Sequence, residues 1–110
     1  MDFEQTARTY HKSRMNCAAS VYKTFEGVNR AHTEPPRPRG EGGKCGAVLA
    51  AEKVLREMGY TDTESFDRDF LALYGSLYCA DLRGRLSGRC NDFVGTAASL
   101  VEKRLEDPQA

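Results

Sequence analysis

The stretch Gly40–Leu55, GEGGKCGAVLAAEKVL, is the part of the sequence that decides the fold. Its start is rich in glycine, and a regular helical pattern begins directly after Cys45. Glycine has no Cβ, so backbone amides in such a segment approach a ligand or a sulfur atom closely. The first turn of a helix adds unpaired N–H groups and a positive partial charge. We therefore expect a stabilised thiolate at Cys45, with the charge of Lys44 contributing.

Helical spacing of apolar residues extends in both directions from this stretch. It predicts a helix over about 45–58, with Gly59 as its terminator. Upstream, residues 2–14 form a polar helix, and Asn16 is a suitable N-cap for a second helix that begins at Cys17. Gly27 is expected to end that second helix in a left-handed conformation.

Downstream, Thr61 and Glu64 have the spacing of a capping box at the start of a fourth helix. That helix is expected to bury Phe66, Phe70, Leu73 and Leu77, whereas Asp67, Arg68 and Asp69 form a solvated face. A short helical turn then carries Cys79. The last helix opens at Cys90 and has the clearest amphipathic series in the chain, formed by Val94, Ala97, Ala98, Val101 and Leu105.

The absence of strand-like patterns defines the fold class. No segment alternates apolar and polar residues over a sustained length, and the chain contains no isoleucine. The sequence predicts an all-α protein, a compact bundle of four to five helices with a Pro/Gly-rich loop before the central cysteine. At 110 residues the chain is expected to be a single domain, 1–110.

The loop over residues 29–44 is the longest predicted connection. Its centre, EPPRPR at 34–39, is extended because proline cannot continue a helix and also restrains the residue before it. A linker between two domains is one interpretation, but each flank is small for an independent fold. A surface loop or lid over the site is the alternative that we favour.

Charge and hydropathy exclude several classes of function. Sixteen basic and sixteen acidic residues balance, so there is no overall attraction to nucleic acid. The longest apolar run, 47–51, is much shorter than the roughly 20 residues that span a bilayer. No secretory signal is visible, which favours a cytoplasmic location. A homodimer is an alternative for covering apolar surface, although no particular residue supports it.

Four cysteines, at positions 17, 45, 79 and 90, are separated by 27, 33 and 10 residues. No C-x-x-C pair is present, which removes the commonest zinc knuckle and the usual thioredoxin-type dithiol. Each cysteine lies near a predicted helix start. Structural disulfides are uncommon in a reducing compartment, so four cysteines there indicate a redox or metal function.

The segments around Cys17, Cys45, Cys79 and Cys90, taken in order, resemble the redox-active C_GCAxxG_C_C family of small cytoplasmic proteins in bacteria and archaea. MNCAASV at 15–21 looks like the first family cysteine segment, and GKCGA at 43–47 matches the central motif. CADL at 79–82 and CNDFV at 90–94 look like the last two. The chain departs from the motif at Ala50, where the family has glycine, and in the Pro/Arg-rich loop before Cys45.

The resemblance implies a redox role for all four cysteines. The family is also similar to the iron–sulfur domain of split-Soret cytochromes, which implies Cys17, Cys45, Cys79 and Cys90 as ligands of a [2Fe–2S] cluster for electron transfer. The backbone amides of Gly43 and Gly46 would then contribute to binding the cofactor.

Two alternatives use the same cysteines without a cluster. The first is thiol–disulfide exchange with an unknown redox partner protein, in which Cys79 and Cys90 meet and Cys45 is the exposed attacking thiol of lowered pKa. The second is a zinc-stabilised or cofactor-free interaction module, since a buried free cysteine is often only a small apolar residue. Whether the chain is an enzyme stays open.

Overall fold

A computed structural model describes residues 2–37, 43–85 and 89–106. Within these ranges the chain is helical, without a β-strand, and the predicted all-α bundle is confirmed. Five α-helices are α1 (Phe3–Lys12), α2 (Cys17–Thr24), α3 (Gly46–Glu57), α4 (Glu64–Tyr74) and α5 (Cys90–Glu106). A short π-helix, Ala80–Arg85, lies between α4 and α5. No helix in the described ranges is long and apolar enough to cross a bilayer.

Helix ends follow local capping chemistry, and the predicted roles of Asn16 and Gly59 are confirmed. Asn16 caps α2, because its side chain accepts a hydrogen bond from the Ala19 N–H at 2.7 Å. Gly59 ends α3 with a φ of 96°, and the N–H of Tyr60 donates to the Leu55 carbonyl at 2.9 Å. This is a Schellman closure, which requires the left-handed conformation that glycine adopts at little cost.

Two predicted helix ends are wrong. Gly27 does not adopt a positive φ, and α2 ends before it at Thr24. Thr61 does not cap α4; instead, Oδ1 of Asp62 accepts from the Ser65 N–H at 3.2 Å. A carboxylate near the first turn satisfies an unpaired donor and also interacts favourably with the positive end of the helix.

The core lies where α2, α3 and α5 pack together, and α1 lies along α5. Buried alanines on α3 and α5 keep these helices close, and aromatic rings fill the space under α4. Phe66 and Phe70 are buried as predicted, and Leu77 is partly buried against the core. The prediction for Leu73 is wrong, because its side chain is 62% exposed.

Two backbone contacts position the start of α3. The N–H of Cys45 donates to the carbonyl of Leu77 at 2.8 Å, and Lys44 forms an isolated antiparallel bridge with Tyr78. Gly43 turns the chain into this pairing with a φ of 82°, a conformation that side chains disfavour. The segment 43–45 is therefore held against segment 77–78, directly before Cys79.

The described part of the long loop docks at the other end of α3. Glu57, the last residue of that helix, accepts hydrogen bonds from Tyr22, Asn29 and Thr33. Lys53 also donates to the Glu34 carbonyl. Residues 29–34 therefore lie near the C-terminal half of α3, whereas Cys45 precedes its N-terminus. The remaining part of the predicted lid, 38–42, lies outside the described residues.

Candidate thiol site at two helix N-termini

All four cysteines stand at helix starts, as the sequence predicts. Cys17 and Cys90 are the first residues of α2 and α5. Cys45 directly precedes α3, and Cys79 directly precedes the π-helix. The four positions share a backbone setting, yet the burial of their side chains differs.

Cys17 and Cys45 are brought together, although 27 residues separate them in sequence. Their side chains share a hydrogen bond, which joins the N-terminus of α2 to that of α3. Cys45 is buried, with 3% of its surface exposed, whereas Cys17 is only partly buried. One thiol of the pair is therefore accessible and the other is enclosed.

The surroundings of Cys17 favour the thiolate. Its pKa is lowered from 9.0 to about 6, chiefly by the hydrogen bond from Cys45. Burial opposes this change, while the backbone amides of Ala18, Gly46 and Ala47 act in the same direction as Cys45. The amides belong to the first turns of both helices, where N–H groups have no intrahelical acceptor. Near neutral pH, Cys17 is therefore predominantly ionised.

The surroundings of Cys45 favour the thiol. The hydrogen bond to Cys17 is the largest cause of its raised pKa, followed by burial, while the amides of Val48 and Ala47 oppose the shift. A proton donated to a neighbouring thiolate is costly to remove, because two adjacent negative charges would result. The prediction that Cys45 is the more exposed thiol of lowered pKa is wrong: Cys17 is the less buried of the pair, and its pKa is the one that is lowered.

Cys79 and Cys90 are both partly buried, and Cys79 packs at the edge of the core. Cys90 is followed by Asn91, whose side chain donates to the Arg8 carbonyl and to Nδ1 of His11. This anchors the start of α5 to α1. A meeting of Cys79 and Cys90 stays a prediction.

Gly43, Lys44 and Gly46 lie next to Cys45 in sequence and differ in what they contribute to the thiol site. Gly46 contributes its backbone amide to the stabilisation of Cys17, as a close backbone approach requires. Gly43 supplies the turn before Cys45. Lys44 does not direct its charge to the thiols; its Nζ lies 2.7 Å from Oε2 of Glu52 and 3.7 Å from Oδ2 of Asp67.

Glu52 and Asp67 are the charged residues that the sequence reasoning missed. Glu52 is 4% exposed, and the interpretation of Asp67 as a solvated residue is wrong, because 21% of its side chain is exposed. A signal for Glu52 was present in the sequence, since it stands between Val48 and Leu55 at helical spacing on the buried stripe of α3. No local pattern marked Asp67, which meets Glu52 only through the packing of α4.

The pKa of Asp67 is raised from 3.8 to about 7, first by burial and then by Glu52, while Lys44 opposes the change. Its Oδ1 is buried and has no hydrogen-bond partner among the described residues. A carboxyl proton shared with Glu52 removes one of two neighbouring negative charges. The cluster of Lys44, Glu52 and Asp67 therefore loses its carboxyl proton only as the pH approaches neutrality.

A metal site needs several ligand side chains grouped around one point. Across residues 2–37, 43–85 and 89–106, no three or more His, Cys, Asp or Glu side chains are grouped so that they could hold a metal ion. Two of the four predicted ligands, Cys17 and Cys45, are in contact. Ligation of a [2Fe–2S] cluster or of zinc by all four cysteines stays a prediction.

Comparisons with known proteins yield no relative of this chain. No protein-family model, no curated protein and no solved structure matches it.

Proposed function

We propose that this chain is a thiol–disulfide exchange protein in which Cys17 attacks and Cys45 resolves. The observation that supports the proposal is the contact between an accessible thiol of lowered pKa and an enclosed thiol of raised pKa. The thiolate is the nucleophile in such exchange, and a thiol whose pKa lies close to ambient pH attacks most effectively.

In the first step, one of the two sulfur atoms of a substrate disulfide, R–S–S–R′, is reduced to a thiolate. The Cys17 thiolate attacks one sulfur, the substrate S–S bond breaks, and R′S⁻ leaves. A mixed disulfide between Cys17 and R forms. The backbone amides at the N-termini of α2 and α3 stabilise the Cys17 thiolate before the attack. They also stabilise it in the reverse of this step, when R′S⁻ attacks the mixed disulfide and Cys17 leaves as a thiolate.

The second step uses Cys45, and the pair is arranged so that Cys45 becomes reactive at the right stage. The main cause of its raised pKa is the interaction with Cys17. Once Cys17 is part of a mixed disulfide, its sulfur is uncharged, and the proton of Cys45 is easier to remove. Cys45 gives that proton to R′S⁻ and attacks the Cys17 sulfur, so that RS⁻ leaves.

The products are two substrate thiols and a Cys17–Cys45 disulfide. The substrate gains two electrons, and the cysteine pair loses two. An external dithiol reductant, which belongs to the proposal as the redox partner, returns the pair to the free thiols. A reducing cytoplasm supplies such reductants and agrees with this direction of reaction.

Trapping the intermediate tests the proposal. Reduced protein treated with one equivalent of 2,2′-dithiodipyridine is expected to form an intramolecular Cys17–Cys45 disulfide, identified by peptide mapping. Cys45→Ser should instead accumulate the mixed disulfide on Cys17. A variant with both Cys79→Ser and Cys90→Ser is the matched control and should behave like the wild type.

Two results would contradict the proposal. One is a disulfide that forms between other cysteines while Cys17 and Cys45 stay reduced. The other is anaerobically purified protein that contains iron and acid-labile sulfide in stoichiometric amounts and loses both in the Cys79→Ser, Cys90→Ser variant. That outcome would support the four-cysteine cluster.

A further inference from the structure

A small apolar notch opens beside α2, and the exchange steps described above do not use it. Ala19 and Tyr22 of α2 line the notch together with Met15, His32 and Pro35. Its exposed lining is almost entirely apolar, and its volume is about 190 Å³. Pockets for small-molecule ligands hold roughly 300–1,000 Å³. The notch therefore has room for a single side chain rather than for a cofactor.

The loop that forms one wall of the notch is fastened to the helices. The N–H of Thr33 donates to the Tyr22 hydroxyl at 2.7 Å, and that hydroxyl donates to Glu57 of α3 at 2.7 Å. The ring of His32 lies against the ring of Tyr22, with 4.5 Å between the centroids. A ligand side chain would therefore enter a notch that is already formed, without first ordering the loop.

The charges at the edge of the notch are paired with each other. Nζ of Lys23 lies 3.3 Å from Oε2 of Glu26, and both residues contribute to the lining. A charged ligand side chain would leave water for an apolar surface and find its nearest counter-charge already paired, which is unfavourable. An aliphatic or aromatic side chain gains free energy by burying apolar surface there.

The notch lies close to the attacking cysteine. Met15 and Ala19 stand two residues before and two residues after Cys17, and both are half-buried. Ala19 and Tyr22 lie along α2, whereas Cys17 is at its N-terminal tip. A helix rises about 1.5 Å per residue, so the notch begins within roughly 10 Å of Cys17. An extended chain that crosses the tip covers about 10 Å in three residues and reaches the notch past Met15.

We propose that this notch binds an apolar side chain of a polypeptide disulfide substrate, about two to four residues from the cysteine that Cys17 attacks. The proposal rests on the proposed function and names its substrate class. Such an anchor holds the substrate sulfur at the tip of α2, and it leaves the chemistry of both exchange steps unchanged. Small disulfides that have no side chain for the notch react at Cys17 without this assistance.

Paired peptide disulfides test the notch. The two peptides of a pair have leucine or serine at one position, two, three or four residues from the cysteine, in an otherwise Gly/Ser sequence. The rate of Cys17 oxidation at pH 7 is divided by the rate with bis(2-hydroxyethyl) disulfide, which corrects for any change in the thiolate itself. In the wild type, at least one leucine peptide is expected to react about tenfold or more faster than its serine partner.

A substitution in the notch should remove this preference. Ala19→Gln places a polar side chain in the notch and retains a good helix former. The advantage of leucine is expected to fall to about twofold or less. Ala72→Gln makes the same change at an exposed position of α4 and should keep the full preference. Equal rates for leucine and serine peptides in the wild type, or the same loss in Ala72→Gln, would overturn the proposal.

Bis(2-hydroxyethyl) disulfide separates this proposal from the function on which it rests. If it oxidises Cys17 and Cys45 while leucine gives no advantage, the notch proposal fails and the exchange function stands. If it does not oxidise Cys17, the exchange function is refuted, and the notch proposal with it. Sedimentation covers the remaining occupant: equal peptide rates together with a dimer that Ala19→Gln dissociates would assign the notch to a second copy of the chain and overturn the proposal.

Discussion

Two neighbouring regions of this protein each bury an acidic group, and they shift the pKa of that group in opposite directions. At the cysteine pair, the pKa of Cys17 falls from 9.0 to about 6. At the carboxyl cluster, the pKa of Asp67 rises from 3.8 to about 7. The two shifts have opposite signs, so a thiol and a carboxylic acid ionise here in the same range of pH, near neutrality. Lys44 and Cys45, adjacent in sequence, belong to the two different regions.

The difference arises from the donors available to the anion. Cys17 faces a thiol donor and the backbone amides at two helix starts, and these compensate for the loss of water. Asp67 faces a second carboxyl group, and the single ammonium of Lys44 is nearer to Glu52. Burial raises the pKa of both groups, so the sign of each net shift depends on what else surrounds the group.

The largest expected effect is on stability at the carboxyl cluster. Because folded Asp67 holds a proton that the unfolded chain releases near pH 4, this group lowers the free energy of unfolding as pH rises from about 4 to about 7. Asp67→Asn removes that decline. At pH 8 the variant is expected to be more stable than the wild type by on the order of 2–4 kcal/mol.

Urea unfolding from pH 4 to pH 9 measures this difference, and subtraction of the two profiles removes contributions from other groups. Asp69→Asn serves as the control and should run parallel to the wild type. A variant that is less stable than the wild type at pH 8 would show that the ionised carboxylate is favourable where it lies.

The next effect concerns the reactivity of Cys17. Replacing Cys45 by alanine removes the largest cause of the lowered pKa of Cys17. The pKa should rise toward the ordinary value, so the rate of alkylation of Cys17 by iodoacetamide at pH 7 should fall roughly tenfold or more. Cys79→Ala makes the same substitution at a cysteine outside the Cys17–Cys45 pair and serves as the control. A rate unchanged in Cys45→Ala would mean that the helix amides alone set the reactivity.

A smaller effect is expected at the cap of α2. Asn16→Ala removes the hydrogen bond to the Ala19 amide, which costs about 1 kcal/mol of stability. Asn16→Asp keeps an acceptor and should lose much less, although its charge disfavours the Cys17 thiolate nearby. Thermal unfolding of both variants measures the cap. Equal losses in the two would indicate that the side-chain acceptor is unimportant.

The smallest effect shows whether Asp62 or Thr61 caps the start of α4. Asp62→Ala should cost on the order of 0.5–1 kcal/mol, because it removes the acceptor for the Ser65 amide. Thr61→Ala should be close to neutral, since Thr61 lies outside the helix start. The reverse order would restore the capping box that the sequence predicts.

Local patterns predicted much of the fold. Apolar spacing identified the α-helices, and Asn16 and Gly59 act at the ends that the sequence assigned to them. Local patterns gave wrong predictions where packing against other parts of the chain determines a helix end or the burial of a side chain. Gly27 has the composition of a helix terminator, but α2 already ends at Thr24. Leu73 continues the helical spacing of Phe70, yet its side chain is 62% exposed.

The candidate site shows the same division. Placing every cysteine at a helix start required only capping signals and spacing. Which cysteines meet depends on the packing of α2 against α3, and no sequence pattern specified the Cys17–Cys45 pair. Lys44 precedes Cys45 directly, so proximity in sequence suggested an interaction, but its side chain extends instead to Glu52 and Asp67.

The pH dependence of Cys17 alkylation in the wild type tests the central claim most directly. The rate constant, followed by mass spectrometry of the Cys17 peptide from about pH 4 to pH 10, is expected to rise with a midpoint near 6, while Cys45 stays unreactive. A midpoint between 8 and 9 for Cys17, or faster labelling of Cys45 than of Cys17, would contradict the account.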